Sequence, residues 1–404
     1  MTTAGFRDVL EIGRQNRPSL YDWSAARPAP LVPRERRFEI SERVGHTGEV
    51  ITPVDRESLP DLVKQVKASG AESAAVCLLF SFLHPEHEEV IRDALEQAGL
   101  FVSISSQVLP TFREFERAST TAANAYVSPV MGRYIAELES ALSADDLQIM
   151  QSNGGSIRPE VARQNAVRCL LSGPAGGAVG AQAISGQAGY RKLLTFDMGG
   201  TSTDVSLLDG RITTTTDAEI GGYPIGVPII DIHTVGSGGG SIARIDQGGA
   251  LRVGPQSAGA DPGPACYGKG SLPTVTDANL ALGRLAADYF LGGQMPLDAD
   301  AARNAIQPLA DQLNLTLEQT ALGILQVANA HMARALQVIS VERGHDPRDF
   351  ALLSFGGAGG LHAADLARSL GIPTVIVPPQ ASTFSAFGMI MADVIKDYSR
   401  TVML

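Results

Sequence analysis

The sequence predicts an α/β protein of two lobes. Its 404 residues exceed one ordinary domain. Short apolar runs alternate with helical patterns, which points to a mainly parallel sheet. Glycine-rich turns stand at the ends of several of those runs, where such folds bring backbone against ligands. Residues 1–146 read as a first lobe and 147–404 as a glycine-rich core.

In the first lobe, residues 1–55 are rich in Arg and Pro and read as loops and edge strands. From Ser58 to Ser69 the apolar positions Leu59, Leu62, Val63 and Val66 fit one face of a helix that Gly70 ends. Ala74 to Phe80 reads as a buried strand, His84 to Ala98 as a helix with Pro85 in its first turn, and Phe101 to Ile104 as a strand. Residues 111–142 read as one or two long helices.

The core opens with a strand, Leu147 to Met150, that runs into a polar Gly turn. Leu170 to Ala181 starts a helix rich in small residues. These permit close approach of another backbone, and the free N–H groups at the helix start could equally face a phosphate. Next comes the most informative segment. The apolar run Leu193 to Phe196 delivers Asp197 to a turn of Gly199 and Gly200; Thr201, Ser202, Thr203 and Asp204 follow, then a second apolar run, Val205 to Leu208. Successive N–H groups in such a turn attract anions, hydroxyls add donors, and the two flanking carboxylates can hold Mg²⁺ through water. A plain hairpin does not need two glycines, three hydroxyls and two acids together.

Asp231 to Ser241 is a second polar cluster. Asp231 and His233 are two apart and share one face of a strand, as an acid/base pair or part of a metal site. Gly259 to Gly268 is a Pro-set loop containing Cys266, which reads as a buried structural thiol because no neighbouring base activates it. Leu322 to Val341 reads as a long amphipathic core helix. The last cluster is a strand, Phe350 to Phe355, then Gly356, Gly357, Gly359 and Gly360, then a helix to about Leu370. It is neither a Walker A loop, since no Lys-Ser/Thr follows, nor a dinucleotide fingerprint, since Pro378, Pro379 and Gln380 stand where a ribose-binding acid is needed.

Composition excludes other classes. A net charge of −11 opposes non-specific binding to nucleic acid or anionic membrane. No run approaches the ~20 apolar residues of a membrane span, and the first residues lack the apolar segment of a secretion signal. Cys77, Cys169 and Cys266 are widely spaced without metal-ligand pattern. The expectation is a cytoplasmic enzyme.

The ordered clusters at 170–177, 196–204, 231–241, 260–268 and 354–362 resemble the hydantoinase A/oxoprolinase family, which includes N-methylhydantoinase A, 5-oxoprolinase and acetone and acetophenone carboxylase subunits. The resemblance runs over essentially the whole chain, from Gly5-Phe6-Arg7-Asp8 onward. It implies the actin-like ATPase (ribonuclease H-like) fold, with ATP in a cleft between two lobes, 1–146 being the rest of the N-terminal lobe and 147–404 the ATPase core. Residue by residue, it makes Asp197, Gly199, Gly200, Thr201, Thr203 and Asp204 the second phosphate hairpin, and Gly356, Gly357 and Gly359 the adenosine-side loop. Leu170–Gly177 and Phe384–Asp393 become the starts of two connecting helices. The two carboxylates flanking the turn, Asp197 and Asp204, are the candidate Mg²⁺ ligands. The chemistry of the second polar cluster, not the resemblance, makes Asp231 the candidate general base or substrate anchor with His233 as its partner, and Asp204 joins them as a catalytic candidate.

The implied activity is ATP-dependent opening of a cyclic amide in an oligomer with a hydantoinase B-type partner. Phosphorylation of the ring carbonyl oxygen makes an imidate phosphate that water can open. The alternatives are a ketone carboxylase subunit and a non-catalytic nucleotide-binding scaffold. The family pattern also places a first phosphate hairpin, Asp-x-Gly-Gly-Thr-x-Thr-Asp, before the Gly5-Phe6-Arg7-Asp8 segment, and a further β-rich domain after the Asp397 to Val402 stretch, in which Arg400 lies outside the residues described below. This chain carries neither, so the expectation is a fragment, or one complemented by another polypeptide.

Overall fold

A computed structural model describes residues 1–402 except 17–19, 23, 26, 27, 143–145 and 400. The expected lobe boundary after residue 146 directly follows 143–145, outside the described residues. The chain packs as two units: one holds residues 1–172, 214–229 and those from 393 on, the other residues 173–213 and 230–392.

The first unit is built on two parallel strands, β1 (Ser73–Val76) and β2 (Phe101–Ile104), with helices α1 (Leu59–Ala68), α2 (Glu86–Gln97) and α3 (Glu114–Leu142). The stripe of α1 foreseen from the sequence is buried at Leu59, Leu62 and Val66, and joins Val76, Ile91, Leu95 and Ile104 in one core. Gly70, at φ 72°, ends that helix. Residues 111–142 give one long helix, preceded by a single turn at Ser105–Val108. It runs through Pro129 without a break; one turn before it, Asn124 accepts from Ser128 Oγ through its carbonyl (2.7 Å), donates to Ser103 Oγ (2.9 Å) and accepts from Val167 N (3.0 Å). The strand expected over 74–80 stops at Val76, because the chain turns at Phe80, where φ is 54°.

The second unit holds helix α4 (Ser172–Ala188), strands β3 (Lys192–Met198), β4 (Thr203–Asp209) and β5 (Ile232–Val235), helices α5 (Val275–Ala281), α6 (Ala299–Leu313) and α7 (Leu317–Ile339), then β6 (Ala351–Phe355), α8 (Ala363–Leu370), β7 (Thr374–Ile376) and α9 (Phe384–Ile390). Five strands form one sheet in the order β5-β4-β3-β6-β7. β3, β6 and β7 are mutually parallel, while β4 is antiparallel to both β3 and β5. The sheet is therefore mixed rather than mainly parallel. A turn of four residues between β3 and β4 leaves no room for a crossover helix, so the chain must reverse.

Strand alternation divides the sheet into two faces. On one, Leu194, Phe196, Val205, Leu207 and Leu352 pack with Ile324, Ala328 and Met332 of α7. On the other, Leu193, Leu208, Leu353 and Phe355 pack with Ala181 of α4 and Phe384 of α9. The small residues of α4 serve this second packing. A Cβ on Gly388 would stand 1.7 Å from the Gly176 carbonyl, and one on Gly177 2.6 Å from the Phe355 ring.

Candidate functional site

Asp197 and Asp204 are register partners across β3 and β4, and Asp204 is in turn opposite Thr234 on β5. Alternation puts Asp197 on the face of Leu193 and Asp204 on the face of Leu208, so both carboxylates stand on the α4/α9 side of the sheet. Thr234 Oγ1 donates to Asp204 (2.5 Å), and Ser385 Oγ of α9 donates to Asp197 (3.5 Å). Burial, reinforced by the Asp204 charge, pushes the Asp197 carboxyl up to about 6. Burial also raises Asp204, against the Thr234 hydroxyl.

Three glycine segments meet at this end of the sheet. Gly199 N closes the β3–β4 turn by donating to Ser202 O (3.1 Å). The 236–240 segment lies along that turn: Gly239 N donates to Gly199 O (3.0 Å), Gly240 N to Gly200 O (2.7 Å), and a Cβ on Gly238 would fall 2.7 Å from the Gly200–Thr201 backbone. Gly239 O is in turn held by the N–H of Thr276 (2.8 Å) and its hydroxyl (2.9 Å), at the start of α5. From β6, Gly356 at φ 80° passes so near Asp197 that a Cβ would sit 2.4 Å from its Oδ1, and Ala358 N donates to Met198 O (3.0 Å). Gly359 packs on Ser354 and Phe196.

Not every residue of the hairpin is equally open. Gly200 and Thr201 are exposed, and Gly200 and Gly357 have free space where a Cβ would be. Thr203 is fully buried, and its hydroxyl is spent on the Ser237 carbonyl (2.5 Å). Thr203 thus fastens the hairpin to the 236–240 segment.

The structure does not bring Asp231 and His233 to the carboxylate pair. His233 is opposite Val205, and Asp231 borders a small cavity with Leu207, Ile339, Arg343 and His345, all on the α7 side of the sheet. Both oxygens of Asp231 accept from Arg343, in the 3-10 turn Val341–Arg343 that follows α7. The two residues share a face with each other, as their spacing requires, but it is the face away from Asp204. Cys266 is buried, and burial together with Asp277 raises its thiol far above the thiolate range, in keeping with a structural role.

Several contributors have no local signal in the sequence. Thr234 and Ser385 reach the carboxylates only through strand pairing and helix packing. Asp277 is fully buried and accepts from Ala265 N, Cys266 N, Thr274 N and the Thr274 hydroxyl, at 2.7–3.2 Å; it ties the Pro-set loop to α5. The Thr274-to-Asp277 spacing of a capping box was the one available sign. His362 is buried, paired through Nδ1 with Asn329 (2.7 Å), and burial lowers it to about 4, so it is neutral at pH 7. Among the described residues no group of three or more His, Cys, Asp or Glu could hold a metal, and no helix is long and apolar enough to cross a membrane.

The hydantoinase/oxoprolinase family model matches residues 117–398, and the model of the hydantoinase/oxoprolinase N-terminal region matches residues 1–99. The chain belongs to the hydantoinase/oxoprolinase family. Family relatives include the caprolactamase subunit alpha of Pseudomonas jessenii, 40% identical over 415 residues covering 100% of this chain and 59% of the relative. The 5-oxoprolinase 1 of Arabidopsis thaliana is 40% identical over 437 residues, covering 98% of this chain and 34% of the relative. Among solved structures, nucleotide-free acetone carboxylase superposes with a TM-score of 0.87 at 30% identity, over 97% of this chain and 58% of that one. ATP-dependent caprolactamase superposes at 0.81 with 39% identity and the same coverage. The chain spans less than two thirds of the length of these relatives. The fold is the actin-like ATPase type, and the sheet of the second unit has its ribonuclease H-like order: counted within the sheet, its third, second, first, fourth and fifth strands lie side by side.

Proposed function

We propose that this chain supplies phosphate- and cation-binding elements of an ATP-dependent hydrolase of small cyclic amides, of the hydantoinase and 5-oxoprolinase kind. The observation that carries the reading is the Asp197–Asp204 pair, half-buried on adjacent strands at the rim of three glycine segments. Two carboxylates this close repel, and burial without a cation makes their ionised forms costly; a divalent ion removes both penalties. The residues present therefore fit Mg²⁺, with Asp197 and Asp204 as the groups that would hold it, through water. When bound, Mg²⁺ and ATP would supply charge neutralisation and the phosphoryl group that activates a ring carbonyl.

The remaining roles belong to the chain. Gly199, Gly200 and Thr201 offer open backbone and a hydroxyl to the phosphates. Thr203 and the 236–240 segment hold the turn in shape. Gly356, Gly357 and Gly359 let the chain lie against the nucleotide beside Asp197. Asp204, bonded to Thr234, stays oriented toward the reacting end. Asp231 and His233 act at a distance in this reading: Asp231 holds Arg343 rather than a proton in transit. The name of the Pseudomonas relative, a subunit alpha, supports assembly with a second subunit, which we take to be of hydantoinase B type. The likeness to acetone carboxylase favours one alternative, a ketone carboxylase subunit on the same nucleotide site.

The experiment is a substrate panel with phosphate release as readout, run on the chain with its partner subunit and Mg·ATP. Cyclic amides (hydantoin, 5-oxoproline, caprolactam) stimulating turnover support the hydrolase. Stimulation only by acetone with bicarbonate assigns the carboxylase. Titration with a non-hydrolysable ATP analogue and Mg²⁺ separates binding from turnover: no affinity in the folded wild-type complex would sink both, whereas Asp204→Asn should weaken the affinity that the wild type shows.

A further inference from the structure

Helix α5 is short, yet three of its residues each hold a different segment around the carboxylate pair. Thr276 grips Gly239 O through its N–H (2.8 Å) and its hydroxyl (2.9 Å), and so steadies the 236–240 segment that lies along the β3–β4 turn. Asp277 holds Ala265 and Cys266 of the Pro-set loop. Asn279, three residues on from Thr276 and on the same face, donates through Nδ2 to His362 Nε2 (3.4 Å). His362 closes the glycine segment that follows β6, its N–H donating to Gly359 O (3.1 Å). Its Nδ1 donates to Asn329 Oδ1 of α7 (2.7 Å), which leaves Nε2 to accept from Asn279. Just beyond α5, Arg284 Nη1 donates to Leu361 O (3.5 Å) and to Asp365 (3.3 Å), a second tie to the same turn.

Packing alone does not explain an asparagine at position 279. It is 1% exposed, its amide donates to His362 and to Val275 O (3.1 Å), and its Oδ1 has no partner. A buried amide oxygen without a donor is costly, so an apolar residue would fill the same space better. What Asn279 supplies is direction. It orients the His362 ring, and through His362 the turn at Gly359, from the same helix face that steadies the β3–β4 turn. We infer, on the nucleotide reading given above, that α5 is a strut setting the spacing between the phosphate-side turn and the adenosine-side turn, with Asn279 and His362 as positioning residues. A ligand that spans both turns feels that spacing; one that fills the phosphate turn alone does not.

Titration of the complex of this chain and its partner subunit, in Mg²⁺, with adenylyl imidodiphosphate and with tripolyphosphate tests the strut. Asn279→Ala should weaken the nucleotide analogue about tenfold, the scale of one lost buried hydrogen bond, and change tripolyphosphate by less than about twofold. Thr276→Val, which removes one of the two bonds to Gly239 O, should weaken both probes alike. Should Asn279→Ala not fold, Asn329→Ala, which removes the other partner of the His362 ring at a half-buried position, should show the same selective loss. Equal weakening of both probes by a folded Asn279→Ala or Asn329→Ala would leave those residues a structural role only and overturn the strut, as would unchanged affinity for the nucleotide analogue. A folded wild-type complex that binds neither probe would overturn the nucleotide reading along with it.

Discussion

Asp197 carries a carboxyl raised from 3.8 to about 6 by burial and then by Asp204. Between those values the native state keeps a proton that the unfolded chain has released, so stability falls as pH rises through this window and stays lower above it. In metal-free protein, Asp197→Asn should therefore raise stability at pH 7–8 by on the order of 2 kcal/mol, with the gain vanishing near pH 4, as chemical denaturation at several pH values would reveal. The same variant should lose any stabilisation by Mg²⁺, the opposite sign from its effect without metal. His362 behaves in the reverse sense. Burial lowers it from 6.5 to about 4, so the unfolded chain binds a proton first and stability drops as pH falls from about 6.5 to 4. That loss should be on the order of 3 kcal/mol and should flatten in His362→Gln; an unchanged pH profile would assign the loss to other groups.

At the scale of elements, the glycines of the site divide into two kinds. Gly356 combines φ 80° with a Cβ position 2.4 Å from Asp197, so Gly356→Ala should cost at least about 1–3 kcal/mol and disturb the carboxylate pair. Gly200 has neither constraint, and Gly200→Ala should leave the melting temperature nearly unchanged while weakening binding of an ATP analogue. A variant that lost stability and affinity together at position 200 would argue that the turn is structural only. These two glycines look alike in the sequence. Both follow an apolar run and adjoin another glycine, and only the approach of β6 to the end of β3 separates them. The helices and long strands were legible because their apolar period is local: α1, α2, α7, β3 and β4 lie within a few residues of where the pattern puts them. The single long α3 and the early end of β1 were less so, since both depend on side chains far away in the chain.

Each unit has a core of its own, Ile91, Leu95 and Ile104 packing together in the first and Phe196, Ile324 and Leu352 in the second. Ile91 and Ile324 are fully buried, each in its own core. Truncating either to Ala should cost about 2–5 kcal/mol. Calorimetry of the free chain should resolve two transitions, with Ile91→Ala lowering one and Ile324→Ala the other. A single transition moved equally by both would mean that the units unfold as one.

The sequence by itself determined the α/β class, the family, the hairpin of Asp197 and Asp204, and the glycine segments at 236–240 and 356–360. Each is written in neighbouring residues, where strand period, turn chemistry and motif spacing act over a few positions. It also put Asp231 and His233 on a common face, because alternate residues of a strand always share one. Only the tertiary structure decided which face. The register of β5 on β4 sets Thr234, not His233, against Asp204, and the turn after α7 brings Arg343 to Asp231. Register and helix packing are relations between distant segments, fixed by burying both faces of one sheet at once, and no local pattern contains them.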